Sequence, residues 1–155
     1  MSIKTITGAG SGEQIRIALV VSRFNAEVTE GLLRGALGAL KESGVNDDHI
    51  TVVEAPGAFE IPLVLEWVAM KGNVEAMVAL GAVIKGETSH YEHISEAAMR
   101  GIRSVSLKYH IPIGCGVLTT FTDEQALERS ADNGSNKGRE AALAAIEMIH
   151  LKRLL

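Results

Sequence analysis

A glycine-interrupted segment in the middle of the chain combines an anion-binding pattern with a histidine. Residues 81–93 read GAVIKGETSHYEH. The apolar run ends at Ile84 like a buried strand, Gly86 breaks it, and a helical pattern begins near Ser89. Free backbone N–H groups at such a junction suit a phosphate, and His90 can transfer protons near neutral pH. The segment therefore indicates an enzyme that acts on a small phosphorylated substrate.

Chemically useful residues also follow two other apolar, strand-like runs. The three segments are SRFN at 22–25, APGAFE at 55–60 and KGETSH at 85–90. The carboxyl ends of parallel strands lie at one edge of a sheet, so the three segments are expected to form one site. The candidate residues within them are Phe24, Ala58, Glu60, Glu87, Thr88 and His90.

Most of these candidates also have a purely structural interpretation. Phe24 either stacks on a flat heterocycle or plugs the end of its strand in the core. The small residues 57–58 either bring N–H groups close to a ligand or form a tight turn. Glu60 either accepts hydrogen bonds from a ligand or complements the dipole of the following helix. Glu87 and Thr88 either hold an anion or cap a helix, and the two roles use the same donors.

His90 has a structural alternative as well, because a lone histidine in a first helical turn is more often structural or solvated. The neighbouring anion-binding pattern favours a general acid or base instead. His93 follows one helical turn later and is expected to pack or to support His90. No cysteine or third histidine accompanies the pair at ligand spacing, so no metal site is expected.

The last third of the chain contains two candidate cations and the only cysteine. Arg129 and Lys137 lie on either side of a polar segment between two predicted helices. Arginine can bind a phosphate with its planar guanidinium group, and lysine can add a point charge. Taken singly, each also fits a solvated helix. Cys115 is either a nucleophile or, as its strand context favours, a buried and inert thiol.

Length and composition limit the class of protein. The chain has 155 residues, of which 46% are hydrophobic and 22% charged, which predicts one domain over 1–155 with a substantial core. A net charge of -4 and scattered basic residues argue against nucleic acid as a partner. No apolar run is long enough for a bilayer, so no membrane partner is expected. One cysteine and the lack of a secretory signal pattern predict a cytoplasmic location.

Hydrophobic periodicity predicts the elements that position these residues. Apolar runs rich in β-branched residues predict strands over 15–21, 50–55, 76–84 and 113–119. Helical spacing predicts helices over 26–43, about 60–70, 89–109, 123–130 and 137–154. Residues 1–13 are polar and glycine-rich, which predicts an extended arm. The alternation predicts an α/β fold, with a four-stranded parallel sheet, helices on both faces and right-handed crossovers.

The motifs at these positions resemble those of the lumazine synthase family of riboflavin biosynthesis. The resemblance runs through nearly the whole chain. It is carried by RFN at 23–25, PGAFEIP at 56–62, LGAVIKGETSH at 80–90, GVLTT at 116–120, NKG at 136–138 and EAA at 140–142.

This resemblance implies a flavodoxin-like three-layer sandwich and a transferase. The family condenses 5-amino-6-(D-ribitylamino)uracil with 3,4-dihydroxy-2-butanone 4-phosphate to 6,7-dimethyl-8-ribityllumazine, without a metal or an organic cofactor. It also implies small-molecule substrates and a homopentamer, with a decamer or an icosahedral shell of sixty chains as larger assemblies. The arm is expected to pair with a neighbouring subunit's sheet, and riboflavin synthase is a further implied partner.

The resemblance also assigns roles to residues of this chain. Phe24 is expected to stack on the pyrimidinedione, and His90 to donate a proton. The ring and the ribityl chain are expected to contact Ala58, Phe59 and Glu60 and the backbone of Ala82, Val83 and Ile84. The phosphate is expected to bind at Glu87 and Thr88, with Arg129 and Lys137 reaching it from the adjacent subunit.

Two departures from the family's pattern affect these expectations. Cys115 stands in the ring pocket's wall where the family commonly has an aromatic residue, usually Phe, so the wall is expected to be looser. Residues 131–135 differ from the loop of many shell-forming members, which weakens the expectation of a shell but not of a pentamer.

Two other functions fit the same resemblance. One is a riboflavin synthase on the same fold, which would dismutate two lumazines and have no use for a phosphorylated substrate. The other is a flavin-binding or shell-forming protein without catalysis. A bare shell has no need of a proton donor, so the set of Phe24, His90 and Arg129 argues against it.

Overall fold

The chain folds as an alternating α/β structure. The structure is a computed structural model, and it describes residues 2–155. Its strands are β1 (Ile17–Ser22), β2 (Ile50–Ala55), β3 (Ala76–Ile84) and β4 (Ile113–Thr120). Its helices are α1 (Ala26–Glu42), α2 (Ile61–Lys71), α3 (His90–Tyr109), α4 (Asp123–Arg129) and α5 (Lys137–Leu154). Short 3-10 turns occupy Asp47–His49 and Ala58–Glu60.

The four strands form one parallel sheet in the order β2-β1-β3-β4. The chain reverses its direction of winding between β1 and β3, because β2 lies on one side of β1 and β3 on the other. This is the strand order of a flavodoxin-like sheet, in which ligands bind beyond the carboxyl ends at that reversal. The predicted α/β sandwich with a four-stranded parallel sheet is confirmed.

Side-chain alternation along the strands creates a core on each face of the sheet. In β1, Ile17 and Leu19 face a cluster that includes α1 and α5, whereas Ala18 and Val20 face α2 and α3. Strands covered on both sides read as continuous apolar runs, which explains why the sequence marks β1 and β3 so clearly. The two helical layers fix where the loops at the sheet's carboxyl edge begin and end.

Close packing of α1 against α5 depends on Gly138. A Cβ atom at this position would lie 2.0 Å from the carbonyl oxygen of Leu32, which no real side chain tolerates. The glycine therefore lets the first turn of α5 approach the α1 backbone directly. This contact positions the segment between α4 and α5, which is flanked by Arg129 at the end of α4 and Lys137 at the start of α5.

A polar clasp joins α2 to α3 on the other face. The Lys108 ammonium and the Tyr109 hydroxyl donate to Glu66, the latter over 2.9 Å. The Lys108 hydrogen bond, followed by the one from Tyr109, holds the pKa of the Glu66 carboxyl below its ordinary value. The clasp links the two helices whose first turns follow the site loops.

The arm before β1 contains no strand among residues 2–13. Its second half packs on the same chain, where the ring of His150 lies 2.8 Å from the Ser11 carbonyl oxygen. Its first half is exposed, and Ile3 is 90% accessible. Within residues 2–155, no helix combines the length and the apolar character needed to cross a membrane.

Candidate active site

A cleft of about 500 Å³ lies at the carboxyl edge of the sheet. It is bounded by the loops after β1, β2 and β3 and by the first turns of α3, as the sequence predicts for residues that follow parallel strands. Its lining comprises Phe24, Asn25, Gly57, Ala58, Phe59, Glu60, Ala82, Val83, Ile84, Gly86, Thr88, His90, Tyr91 and Ile94. We refer to this feature as the cleft.

Two phenylalanines present their rings at the cleft instead of the core. Phe24 is 70% exposed and Phe59 is 59% exposed. The first value excludes the alternative in which Phe24 plugs the strand end, because a core plug is buried. Exposed aromatic faces beside a cleft are suited to stacking on a flat ring.

Asn25 fixes the position of the loop after β1. Its side-chain amide donates to the carbonyl oxygen of Ala82 over 3.0 Å, so it ties this loop to the end of β3. Its backbone lies in the left-handed region at φ 62°, which asparagine tolerates better than most residues. Its carbonyl oxygen also accepts from Val28 and Thr29 and so begins α1.

The loop after β2 enters α2 through a 3-10 turn. Ala58 is buried, whereas Glu60 is exposed at the helix boundary and contributes its carboxylate to the cleft. Gly57 is extended at φ -150°, and a Cβ there would lie 3.1 Å from a Glu60 carboxylate oxygen. The turn therefore places a carboxylate and a small-residue backbone on the same wall.

The loop after β3 exposes a series of free backbone donors. Residues 85–90 are all exposed, and the N–H groups of residues 86–89 have no hydrogen-bond acceptor within residues 2–155. The His90 N–H donates weakly to the Thr88 hydroxyl oxygen at 3.4 Å. Free donors in front of a 20-residue helix form a concentrated positive potential. We call residues 86–89 the cradle.

His90 begins α3, directly after the cradle, and lines the cleft. Thr88 lines it as well, whereas Glu87 is exposed and does not. His93 is exposed and outside the lining, and no hydrogen bond joins its side chain to His90 within residues 2–155, so neither of its two expected roles, packing or support of His90, is observed. Among residues 2–155, no three His, Cys, Asp or Glu side chains form a group that could hold a metal ion.

Besides Glu87, three predicted site residues lie outside the cleft lining of their own chain. Arg129 is exposed in the last turn of α4 and donates to the Gln125 carbonyl oxygen at 3.1 Å. Lys137 pairs with Glu140 at 2.8 Å in the first turn of α5. Cys115 is exposed on β4, with its sulfur 3.6 Å from the sulfur of Met99.

The expectation that Cys115 is buried is wrong, and the sheet order explains why. β4 is an edge strand that pairs only with β3. Its small residues Gly114 and Gly116 are buried, whereas the alternate residue Cys115 lies on the opposite face, where the helical cover is incomplete. Sequence alone marks the strand but not its place at the edge.

Besides Gly57, four residues line the cleft that the sequence did not predict as site residues, although they lie within or beside the predicted motifs. These residues are Asn25, Gly86, Tyr91 and Ile94. The sequence feature that could have identified Asn25 is its position directly before a predicted helix. Ile94 follows His90 by four residues and follows Tyr91 by three, and both spacings bring side chains to a common face of the helix.

The strand order and the cleft at the reversal of winding place the chain among the flavodoxin-like α/β proteins, a class that binds ligands at this point of the sheet. A sequence profile for 6,7-dimethyl-8-ribityllumazine synthase matches residues 14–153. A protein of that name from Chlorobium limicola is 46% identical over 153 residues, covering 99% of each chain. Another from Chlorobium luteolum is 44% identical with the same coverage. The chain belongs to the 6,7-dimethyl-8-ribityllumazine synthase family, and it is a transferase of riboflavin biosynthesis.

Proposed function

We propose that the cleft condenses 5-amino-6-(D-ribitylamino)uracil with 3,4-dihydroxy-2-butanone 4-phosphate to give 6,7-dimethyl-8-ribityllumazine. The observation that carries this assignment is the position of exposed aromatic faces, free N–H donors and a histidine around one cleft, in a chain of this family. The reaction releases phosphate and water. An amine attacks the ketone and water leaves to form an imine, phosphate is eliminated, and the ribityl-bearing nitrogen closes the ring with loss of water.

The flat ring of the uracil substrate is held on the aromatic side of the cleft. Phe24 stacks on it, while Ala58, Phe59 and Glu60 hold the ring and the ribityl chain. The backbone of Ala82, Val83 and Ile84 supplies hydrogen-bonding groups along the ring edge. These residues line one continuous wall, which supports a common ligand.

The phosphate of the second substrate binds in the cradle, where Glu87 and Thr88 lie. Four consecutive unpaired N–H groups match the several acceptor oxygens of a phosphate. His90 follows the cradle directly, so a substrate anchored by its phosphate brings its carbonyl chain within reach of the imidazole. His90 acts as the proton donor for the steps that lose water and phosphate.

Completion of the site requires a neighbouring chain. The cleft lining, which lies wholly within the described residues 2–155, contains no arginine or lysine. Arginine is over-represented where proteins recognise phosphate, and lysine is a common phosphate binder. Arg129 and Lys137 are exposed or half-buried on a different part of the chain, so they are available to a neighbour's cradle. Cys115 is also exposed and lies outside the cleft of its own chain, so it is available to a neighbour's ring pocket in the same arrangement.

The assembly that supplies the neighbour is a homopentamer. The outer edge of β2 has no strand partner among residues 2–155, and Val52 on this strand is 41% exposed. An open edge of this kind accepts an added strand, and the exposed first half of the arm is the segment available to supply it. Larger assemblies and an association with riboflavin synthase are secondary proposals.

The test of the function is an assay of the purified chain with the two substrates. We expect a yellow lumazine product and one equivalent of phosphate for each turnover, without added metal or cofactor. A riboflavin synthase would instead consume the lumazine, and a non-catalytic binding protein would give neither product. Sedimentation of the same preparation is expected to show a species about five times the mass of the 16.5 kDa chain.

A further inference from the structure

An aromatic side chain that does not line the cleft contacts both ends of the loop after β3. The ring centroids of Phe121 and Tyr91 are 6.3 Å apart with an interplanar angle of 45°. The ammonium of Lys85 lies 5.6 Å from the Phe121 ring centroid. Lys85 precedes the cradle and Tyr91 follows His90. The Phe121 ring therefore contacts the residue on each side of loop 86–90.

The loop 86–90 has few other restraints. All of its residues are exposed, and the cradle N–H groups donate to no acceptor among residues 2–155. The Lys85 N–H donates to the Thr120 carbonyl oxygen at 2.9 Å, and this bond brings Phe121 beside the start of the loop. The contacts of the Phe121 ring with Lys85 and Tyr91 then connect the start of the loop to the first turn of α3.

Phe121 itself stands on a well-restrained turn. Its N–H donates to the Gln125 side-chain oxygen at 2.9 Å, and the Gln125 N–H donates to the Thr122 hydroxyl oxygen at 3.1 Å. This reciprocal pattern resembles a capping box and fixes the backbone where β4 passes into α4. A phenylalanine that remains 64% exposed on such a turn contributes little to the core. Its environment points to a role at the loop.

We infer that Phe121 is a positioning residue, whose ring holds the two ends of loop 86–90 and so aligns the cradle with the cleft. The inference rests on the proposed function, because it concerns the phosphate end of that site. The tilted aromatic pair with Tyr91 and the cation–π contact with Lys85 both favour the arrangement in which the two ends of the loop are held together. Their loss leaves the cradle donors intact but spreads them over several orientations, and phosphate affinity falls accordingly.

The test compares Phe121→Ala with Phe121→Tyr. We expect Phe121→Ala to raise the KM of the phosphate substrate, and the inhibition constant of inorganic phosphate, about tenfold. The KM of the uracil substrate is expected to stay within about twofold of the parent value, since its wall is untouched. Phe121→Tyr keeps the ring and is expected to restore both phosphate constants.

Leu107→Ala serves as the matched control. Leu107 is 63% exposed near the far end of α3, so its loss removes a similar apolar surface without touching the loop. Unchanged phosphate constants in Phe121→Ala would overturn the inference, and so would an equal rise in the KM values of both substrates. A Phe121→Tyr variant that binds phosphate as weakly as Phe121→Ala would overturn it as well. A parent chain that forms no lumazine would instead refute the proposed function, so the two failures are distinguishable.

Discussion

Replacing His90 with alanine is expected to lower kcat about a hundredfold while leaving measurable turnover. The imidazole lines the cleft and follows the cradle directly, where it can reach groups that gain or lose protons. Holding two reactive substrates in the correct orientation can lower the activation free energy by about 7–11 kcal/mol without any proton transfer. The substitution leaves this contribution unchanged. The KM of the phosphate substrate should change little, because the cradle uses backbone N–H groups.

Steady-state kinetics of the folded variant would measure this effect, with His93→Ala as the control. His93 lies one helical turn further along α3, is exposed and does not line the cleft, so its loss should leave kcat unchanged. Complete loss of turnover in folded His90→Ala would show that proton transfer, and not orientation, dominates the rate. A normal rate in His90→Ala would remove the histidine from the mechanism.

Replacing Arg129 with alanine is expected to raise the KM of the phosphate substrate about a hundredfold, with a smaller effect on kcat. No cation lines the cleft of a single chain over residues 2–155, so a neighbour's guanidinium would supply the main positive charge at the phosphate. A charge-assisted bidentate contact, once lost, leaves the phosphate with the cradle alone. The KM of the uracil substrate should remain near its parent value.

Arg16→Ala provides the control for a general change in charge. Arg16 is exposed just before β1, at the sheet edge opposite the cleft, and neither substrate constant should respond. Raised ionic strength should weaken phosphate binding in the parent more than in Arg129→Ala. Equal KM values for parent and Arg129→Ala would mean that this arginine does not reach the phosphate.

Periodicity predicts the fold well because both faces of the sheet are covered. β2, β3 and α5 begin and end where the sequence indicates. β1 begins two residues later than predicted, although Ile15 is buried. The reason is local, since Gln14 has φ 68° and the Ile15 N–H donates to the Gly12 carbonyl oxygen, which forms a turn instead of a strand.

The candidate site residues fall into two groups: those that the fold of a single chain brings together, and those that it leaves outside the cleft. Residues in loops after neighbouring strands, such as Phe24, Glu60 and His90, are brought together by the sheet alone, so strand order is enough to group them. Arg129 and Lys137 carry no local signal beyond charge, and the fold of one chain keeps them off the cleft. Their role rests on family resemblance and on the missing cation.

The exposure of Cys115 shows the same limit from another side. Its neighbours Gly114 and Gly116 suggest a buried strand, and both glycines are indeed buried. The packing of α3 decides which face of the edge strand β4 is left uncovered. The residues near Cys115 in the sequence carry no information about this packing. Local pattern therefore predicts elements, while exposure at their edges depends on tertiary and quaternary contacts.

The most direct test of a site shared between chains is to assemble His90→Ala and Arg129→Ala chains together in equal amounts. Each variant alone is expected to be nearly inactive when the phosphate substrate is scarce. If one chain supplies His90 and its neighbour supplies Arg129, random mixing produces intact pairs at about a quarter of the interfaces, and activity rises far above that of either variant. Activity that stays at the mean of the two variants would show that each site is built from a single chain.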